Sequence, residues 1–163
     1  MPKPVIAAVN GPAAGIGSAF ALACDLVVMS DSAYIKQAFV NIALIPDGGL
    51  NWLLTRTVGY RLAYEMAIEG NNVSANRCLE LGLANKVVSD GELMTKSIEW
   101  AESLSKKSSQ SLRETKRVMR MAMTNDYESV FEQEAEANNA LHGSKDSLEA
   151  IQAFFEKREP NFD

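Results

Sequence analysis

Residues 3–28 read KPVIAAVNGPAAGIGSAFALACDLVV, and the reading of this stretch decides the fold. Val5 to Val9 are apolar without alternation, which suits a strand buried on both faces of a sheet. Asn10-Gly11-Pro12 forces a turn. Small residues and glycines follow to Gly17, and Ser18 to Cys24 has the composition of a buried helix, with Phe20, Leu22 and Ala23 inside. Asp25 ends it, and Leu26 to Met29 reads as a second strand. Strand, turn, glycine-rich loop, helix and strand in that order point to an α/β fold.

Outward from there, Ala33 to Ile35 reads as a short third strand. Phe39 to Leu50 is irregular and holds Pro46-Asp47-Gly48-Gly49. A helix is expected from about Leu50, carrying Trp52, Leu53 and Leu54 and closed by Gly59. Another runs from Arg61 to Glu69, with Gly70 as its stop. Ser74 is placed to cap a third, Ala75 to Leu81, and Leu83 to Val88 reads as a further strand. Beyond Asp90 only helices are expected. Leu93, Ile98 and Ala101 mark one, and Leu112, Thr115, Met119, Ala122 and Met123 mark another. Tyr127, Val130, Phe131 and Leu141 mark a third, and Leu148, Ile151 and Phe155 the last. These stripes read first as helix–helix core, with some facing another subunit. The expected division is a strand-containing part over residues 1–89 and a helical part over 90–163. About four strands are readable, and the first needs a paired neighbour and cover on both faces. The expectation is that another chain completes the sheet, or that the chain is a fragment of a larger fold.

The chain has 163 residues, 47% hydrophobic and 23% charged, the balance of a globular domain. Its formal net charge of −5 argues against nucleic acid as the main partner. No apolar run approaches the roughly 18–20 residues needed to cross a bilayer, and no signal peptide is read, so a cytoplasmic protein is expected. Cys24 and Cys78 are isolated and lack metal-ligand spacing, which favours free thiols over a disulfide and predicts no metal. His142 is the only histidine, in a polar helical region where a solvated helix end is the plain reading.

The opening stretch resembles the central signature of the crotonase (enoyl-CoA hydratase/isomerase) family. The resemblance continues through AFVNIALIPDGGLNWLLTRTVG at 38–59 and NNVSANRCLELGLANKVV at 71–88, and FFEKREPNF at 154–162 is similar to the family's C-terminal end. Within the family the AFVNIALIPDGG version is most similar to the branch of epoxyphenylacetyl-CoA and dehydroadipyl-CoA isomerases. The resemblance implies a repeated ββα spiral, here truncated, followed by an all-helical C-terminal region used for oligomerisation. Family members are longer, and their N-terminal part supplies further turns of the spiral, one N–H of the oxyanion hole and much of the coenzyme A grip. It also implies an acyl-CoA substrate, a homotrimer or hexamer, a place in fatty acid metabolism, and no cofactor other than the coenzyme A of the substrate itself.

The family's shared step is stabilisation of a thioester enolate by two backbone N–H groups, one at a helix N-terminus. The resemblance places that donor at the Ile16 N–H, in the loop Ala14-Gly15-Ile16-Gly17-Ser18. The position is usually Gly or Ala, and an isoleucine side chain crowds the loop. From the residues alone, Gly15 and Gly17 equally permit close helix–sheet packing, and Gly15-x-Gly17 without a third glycine is a weak dinucleotide signal. Hydration in the family uses two glutamates. The matching positions are Ala19 and Phe39, so both carboxylates are absent, and the resemblance points to double-bond isomerisation rather than two-glutamate hydration. Asp47 is the replacement acid/base, near apolar Phe39 and Ile45, because relatives carry an acid after this proline. Pro46-Asp47-Gly48 is also good turn chemistry on its own. Gly15, Gly17, Phe39, Pro46 and Gly48 are the expected substrate-contacting neighbours. Phe154 and Lys157, with Arg158 adjacent, match the positions that serve the coenzyme A adenine and phosphate of a neighbouring subunit, and they read equally as a helix end with cations on its dipole. The alternative to an enzyme is a catalytically incomplete crotonase-like chain that only oligomerises or is completed by a partner.

Overall fold

The computed structural model describes residues 1–162. They fall into two compact units, Val5–Trp100 and a second formed by Met1–Pro4 with the chain from Ala101 onward. The parting lies inside a helix, and so is a different feature from the change of character at residue 90.

In the first unit the chain alternates between two three-stranded sheets. β1 (Ile6–Val9), β3 (Leu26–Ser30) and β6 (Lys86–Val88) form one, in the order β1-β3-β6, entirely parallel. β2 (Pro12–Ala14), β4 (Tyr34–Lys36) and β5 (Asn72–Ser74) form the other, in the order β2-β4-β5. There β2 and β4 run parallel and β4 and β5 antiparallel. Each repeat places its first strand in one sheet and its second in the other, and a helical segment follows. α1 (Ile16–Ala23) follows β2 and leads back to the first sheet, and α2 (Leu50–Thr57) and α3 (Tyr60–Glu69) follow β4 and lead on to β5 in the second. This is the ββα spiral. α4 (Ala75–Glu80) follows β5 and returns the chain to β6.

The strands sit where hydrophobic runs and hydrogen bonds agree. β3 is central, and Val27 through Ser30 are buried. β1 is an edge strand and is only partly buried except at Val9, so the expected burial on both faces is not met within this chain. Its ladder is extended by Asp25, whose carboxylate accepts from the Val5 N–H at 2.8 Å. Asn85 clamps the start of β3. Its side-chain oxygen accepts from the Val27 N–H at 2.8 Å while its own N–H donates to the Val27 carbonyl at 2.8 Å. Two strands escape the sequence reading. β2 begins with a proline, tolerated because it lies at a sheet edge, and β5 is three residues long. Helix α1 starts at Ile16 rather than Ser18, and two residues expected inside it, Phe20 and Ala23, face outward, Phe20 being 70% exposed. The core gathers Met29, Ile35, Leu50, Leu54 and Cys78 between the sheets and the helices. Burial pushes the Cys78 thiol up to about 11, which keeps it protonated. Gly70 ends α3 in the left-handed conformation, and Ser74 caps α4 by accepting from the Arg77 N–H at 3.3 Å.

Helix α5 (Leu93–Ser105) runs across the parting of the units. The second unit contains α6 (Ser109–Ala122), α7 (Tyr127–Leu141) and α8 (Lys145–Glu156). Ser108, Asp126 and Ser144 cap them, each accepting from the N–H three residues on. Helix α6 packs on α7. Its inward residues are Val118, buried, and Leu112, Glu114 and Met121, partly so, rather than the expected Thr115, Met119, Ala122 and Met123, which are exposed. Tyr127, Phe131, Leu148, Ile151 and Phe155 are exposed as well, whereas Val130 and Leu141 are partly buried, so these stripes are internal helix–helix core only in part. His142 is an exposed helix end, as its sequence context implies. After α8 the tail is pinned by Glu149. Its carboxylate accepts from the two terminal Arg158 guanidinium nitrogens at 2.6 and 3.1 Å and from the Asn161 N–H at 2.8 Å. No helix among the described residues is long and apolar enough to cross a membrane.

Two outcomes are expected. Asn85→Ala strips the Val27 N–H of its side-chain acceptor and should lower stability in urea denaturation by about 1–3 kcal/mol. Asn85→Asp keeps an acceptor there and should cost less. The Arg158 guanidinium and the Asn161 N–H hold the Glu149 carboxyl down at about 2 from its ordinary 4.5. A depressed carboxyl contributes above its ordinary pKa and loses that contribution as pH falls through the folded value. The Asn161 amide resonance should therefore hold its position to about pH 3 and move near pH 2. A midpoint near pH 4.5 would show that the tail is not pinned this way.

Candidate active site

The site is built on one glycine. Gly15 has φ 53° and ψ −124°, a region open to glycine and strained for residues with a Cβ. Its N–H donates to the Lys36 carbonyl at 2.9 Å, continuing the β2–β4 ladder by one bond before the chain turns into α1. The Gly15 carbonyl then accepts from the Ser18 N–H at 3.0 Å and the Ala19 N–H at 3.4 Å. This leaves the Ile16 and Gly17 N–H groups at the tip of the helix with no acceptor among the described residues. No acidic side chain stands in the first turn of α1 to neutralise them. Two free N–H groups and a helix dipole make a place for developing negative charge. Ile16 as a whole is 46% exposed.

The acidic loop reaches the same place. After a 3-10 turn over Ala38–Ile42 and a left-handed Ala43, the chain runs outward through Leu44 and Ile45. The Pro46 carbonyl is held by the Asn51 side-chain amide at 2.7 Å. Asp47 to Leu50 then forms a tight turn closed by Leu50 N–H to the Asp47 carbonyl at 3.1 Å, with φ of 62° at Gly48 and 86° at Gly49. Two consecutive positive φ values explain the Gly-Gly pair. Gly48 is glycine for a second reason. A Cβ there would stand 2.7 Å from Ile16 Cδ1 and 2.8 Å from Ala19 Cβ, so the loop rests directly on α1.

Asp47 is thus anchored by its backbone, while its carboxylate is exposed and accepts no hydrogen bond among the described residues. The turn does not consume the side chain. Its setting is open, because Ile45 points to solvent and only Phe39 is buried. The Phe39 ring lies under Gly15, 3.8 Å from where a Cβ would be. Ala19 is buried beneath Gly48, so neither position matching the family's paired glutamates offers a carboxylate. Gly15, Ile16, Gly17, Phe39 and Gly48 are gathered here, with Pro46 and Asp47 immediately before Gly48 in the chain.

Phe154 and Lys157 belong to the other unit. Phe154 is 78% exposed and meets Phe155 edge-on at 5.8 Å, and Lys157 takes the left-handed conformation that ends α8. Arg158 beside them is committed to Glu149 and Glu156. Sequence reading misses a buried polar pair, Ser18 and Gln37, beneath Gly15, because 19 positions separate two unremarkable polar residues. Among the described residues no three His, Cys, Asp or Glu side chains gather as metal ligands.

The chain is similar to known proteins over its whole length. The family profile described as enoyl-CoA hydratase/isomerase matches residues 1–163. The chain is 37% identical over 162 residues to a 1,2-epoxyphenylacetyl-CoA isomerase of Escherichia coli K12, covering 99% of this chain and 62% of that protein. It is 31% identical over 160 residues to the 2,3-dehydroadipyl-CoA hydratase of the same organism, covering 98% and 63%. That relative is named a hydratase, whereas the sequence reading grouped dehydroadipyl-CoA proteins with isomerases. A solved enoyl-CoA hydratase from Polaromonas sp. JS666 superposes with a TM-score of 0.96 at 36% identity, covering 99% of this chain and 63% of that one. The chain therefore spans a little under two thirds of the length of these relatives. With the ββα spiral, the turn into α1 and the matched sequence blocks taken together, the chain belongs to the enoyl-CoA hydratase/isomerase family, the crotonases.

Proposed function

We propose that this chain carries an acid/base and oxyanion site for double-bond isomerisation of an unsaturated acyl-CoA. The observation that supports it is the meeting of a free Ile16 N–H with a turn that presents an unpaired Asp47. In this reading the thioester oxygen of a 3-enoyl-CoA sits against the Ile16 N–H. The Asp47 carboxylate takes a proton from C2, and the electron pair passes into the thioester as a dienolate whose oxygen charge faces the helix tip. Asp47 then returns the proton at C4, and the double bond ends between C2 and C3. One carboxylate suffices because the proton that leaves is the proton that returns. Hydration would need a second acid/base group to hold and activate water, and Ala19 and Phe39 cannot serve. Gly15, Gly17, Phe39, Pro46 and Gly48 shape the slot around the thioester. Phe154 and Lys157 are assigned to the adenine and phosphate of coenzyme A on a neighbouring subunit, with coenzyme A entering only as part of the substrate. The exposed apolar stripes of α6 to α8 suit a homotrimer or a pair of trimers, and the setting is a cytoplasmic acyl-CoA pathway.

A second reading is a crotonase-fold subunit that is inactive until further polypeptide completes it. The exposure of Phe20, Ile42, Leu44 and Ile45 around the same loop favours it.

Steady-state assay with a 3-enoyl-CoA at high protein concentration tests the first reading. Asp47→Asn should lower kcat by about 100-fold or more with the fold intact by circular dichroism. Ile16→Pro, which removes the donor at a helix position that accepts proline together with the side chain that Gly48 approaches, should cost at least about 10²–10³ in kcat. Absence of both turnover and calorimetric coenzyme A binding in the unaltered chain would sink the isomerase reading in favour of the second. Light scattering should give a multiple of the 17.8 kDa chain mass, and a monomer at micromolar concentration would count against the trimer.

A further inference from the structure

The Ile16 N–H shares its peptide plane with the Gly15 carbonyl, and that carbonyl is held from below. Besides the Ser18 and Ala19 N–H groups, the Ser18 hydroxyl donates to it at 2.6 Å. Gln37 Nε2 in turn donates to Ser18 Oγ at 3.1 Å. The two side chains are buried, Ser18 at 0% and Gln37 at 1% exposure. The direction of this chain of bonds is set by chemistry. A carbonyl has no proton to give, so the hydroxyl proton points at Gly15, and the Ser18 oxygen is left to accept from the amide nitrogen. Gln37 Oε1 is consequently buried with no partner among the described residues. An orphaned amide oxygen is costly. A serine that only capped the helix would require neither that cost nor a glutamine behind it.

We propose that Ser18 and Gln37 are positioning residues that orient and polarise the Gly15–Ile16 peptide, so that the Ile16 N–H is a stronger and better-aimed oxyanion donor. The inference rests on the isomerase reading for its consequence in catalysis. Donation into a peptide oxygen draws density from the amide nitrogen and makes its N–H more acidic, and successive bonds in a low-dielectric interior reinforce one another. Three donors on one oxygen also lock the plane, which spares reorganisation when charge develops on the thioester. Neither side chain touches substrate.

The test uses the full chain in two measurements, the ¹H–¹⁵N position of the Ile16 amide without ligand and the kinetics with a 3-enoyl-CoA. Ser18→Ala should shift the Ile16 amide proton upfield. It should also lower kcat by roughly tenfold to a hundredfold, a share of the ~10²–10³ carried by a whole oxyanion donor, with KM little changed. Gln37→Met keeps the volume, removes the orphaned oxygen and should shift both quantities the same way by less. Ser18→Cys, with a weaker donor, should recover part of the loss. If Ser18→Ala does not fold, Gln37→Met still decides. An unmoved Ile16 amide in the folded variants, or a raised KM at unchanged kcat, overturns the proposal. A wild-type chain without turnover overturns the isomerase reading alone. An amide that still responds to Ser18 and Gln37 would then continue to support the relay.

Discussion

A single backbone conformation, that of Gly15, carries the rest of the site. At φ 53° and ψ −124° the chain leaves a strand pairing with β4 and enters a helix within one residue. The demand is torsional rather than spatial, since a Cβ there would meet the Phe39 ring only at ordinary contact distance. Because the turn is so abrupt, the Gly15 carbonyl folds back to accept from the helix while the first two helix N–H groups are left facing out. An anion-directed helix tip is thus a by-product of how the ββα repeat crosses from sheet to helix.

Gly48 joins the second functional element to the first, and there both torsion and space require glycine. Its φ of 62° and the 2.7 Å and 2.8 Å approaches to Ile16 and Ala19 make the acidic turn and the donor loop one packed unit. The isoleucine that crowds the loop in sequence is in the structure a wall against which the acidic turn is seated. The same packing covers Ala19. Ala19 is buried and Gly48 stands directly over it. The site as described has one unpaired carboxylate on a turn that packs against one free amide tip.

Much of the fold was legible because its cues are local. The apolar runs of β1 and β3, the left-handed stop at Gly70 and the Ser74 cap each depend on residues within a turn or two of one another. β2 and β5 were not legible. They are three residues each, one begins with proline, and they become strands only by pairing with β4 on either side. The helical stripes were legible only in part for a related reason. Periodicity identifies an amphipathic helix but not which flank meets its neighbour, and on α6 the inward residue is Val118 rather than Met119.

The amino-acid sequence alone determined the family, the longer strands and the helices, the absence of carboxylates at residues 19 and 39, and the candidacy of Ile16 and Asp47. These are properties of residue identity and of contacts close along the chain. Tertiary structure alone decided whether those candidates are available. The turn at Asp47 could have used its side chain, and only the hydrogen bond from the Leu50 N–H shows that the backbone carbonyl closes the turn instead. The Ile16 amide could have been bonded, and only the torsion of Gly15 frees it. Ser18 and Gln37 acquire a joint role because β4 runs beneath the loop, and a hydrogen bond between residues distant in sequence leaves no periodic trace in the chain.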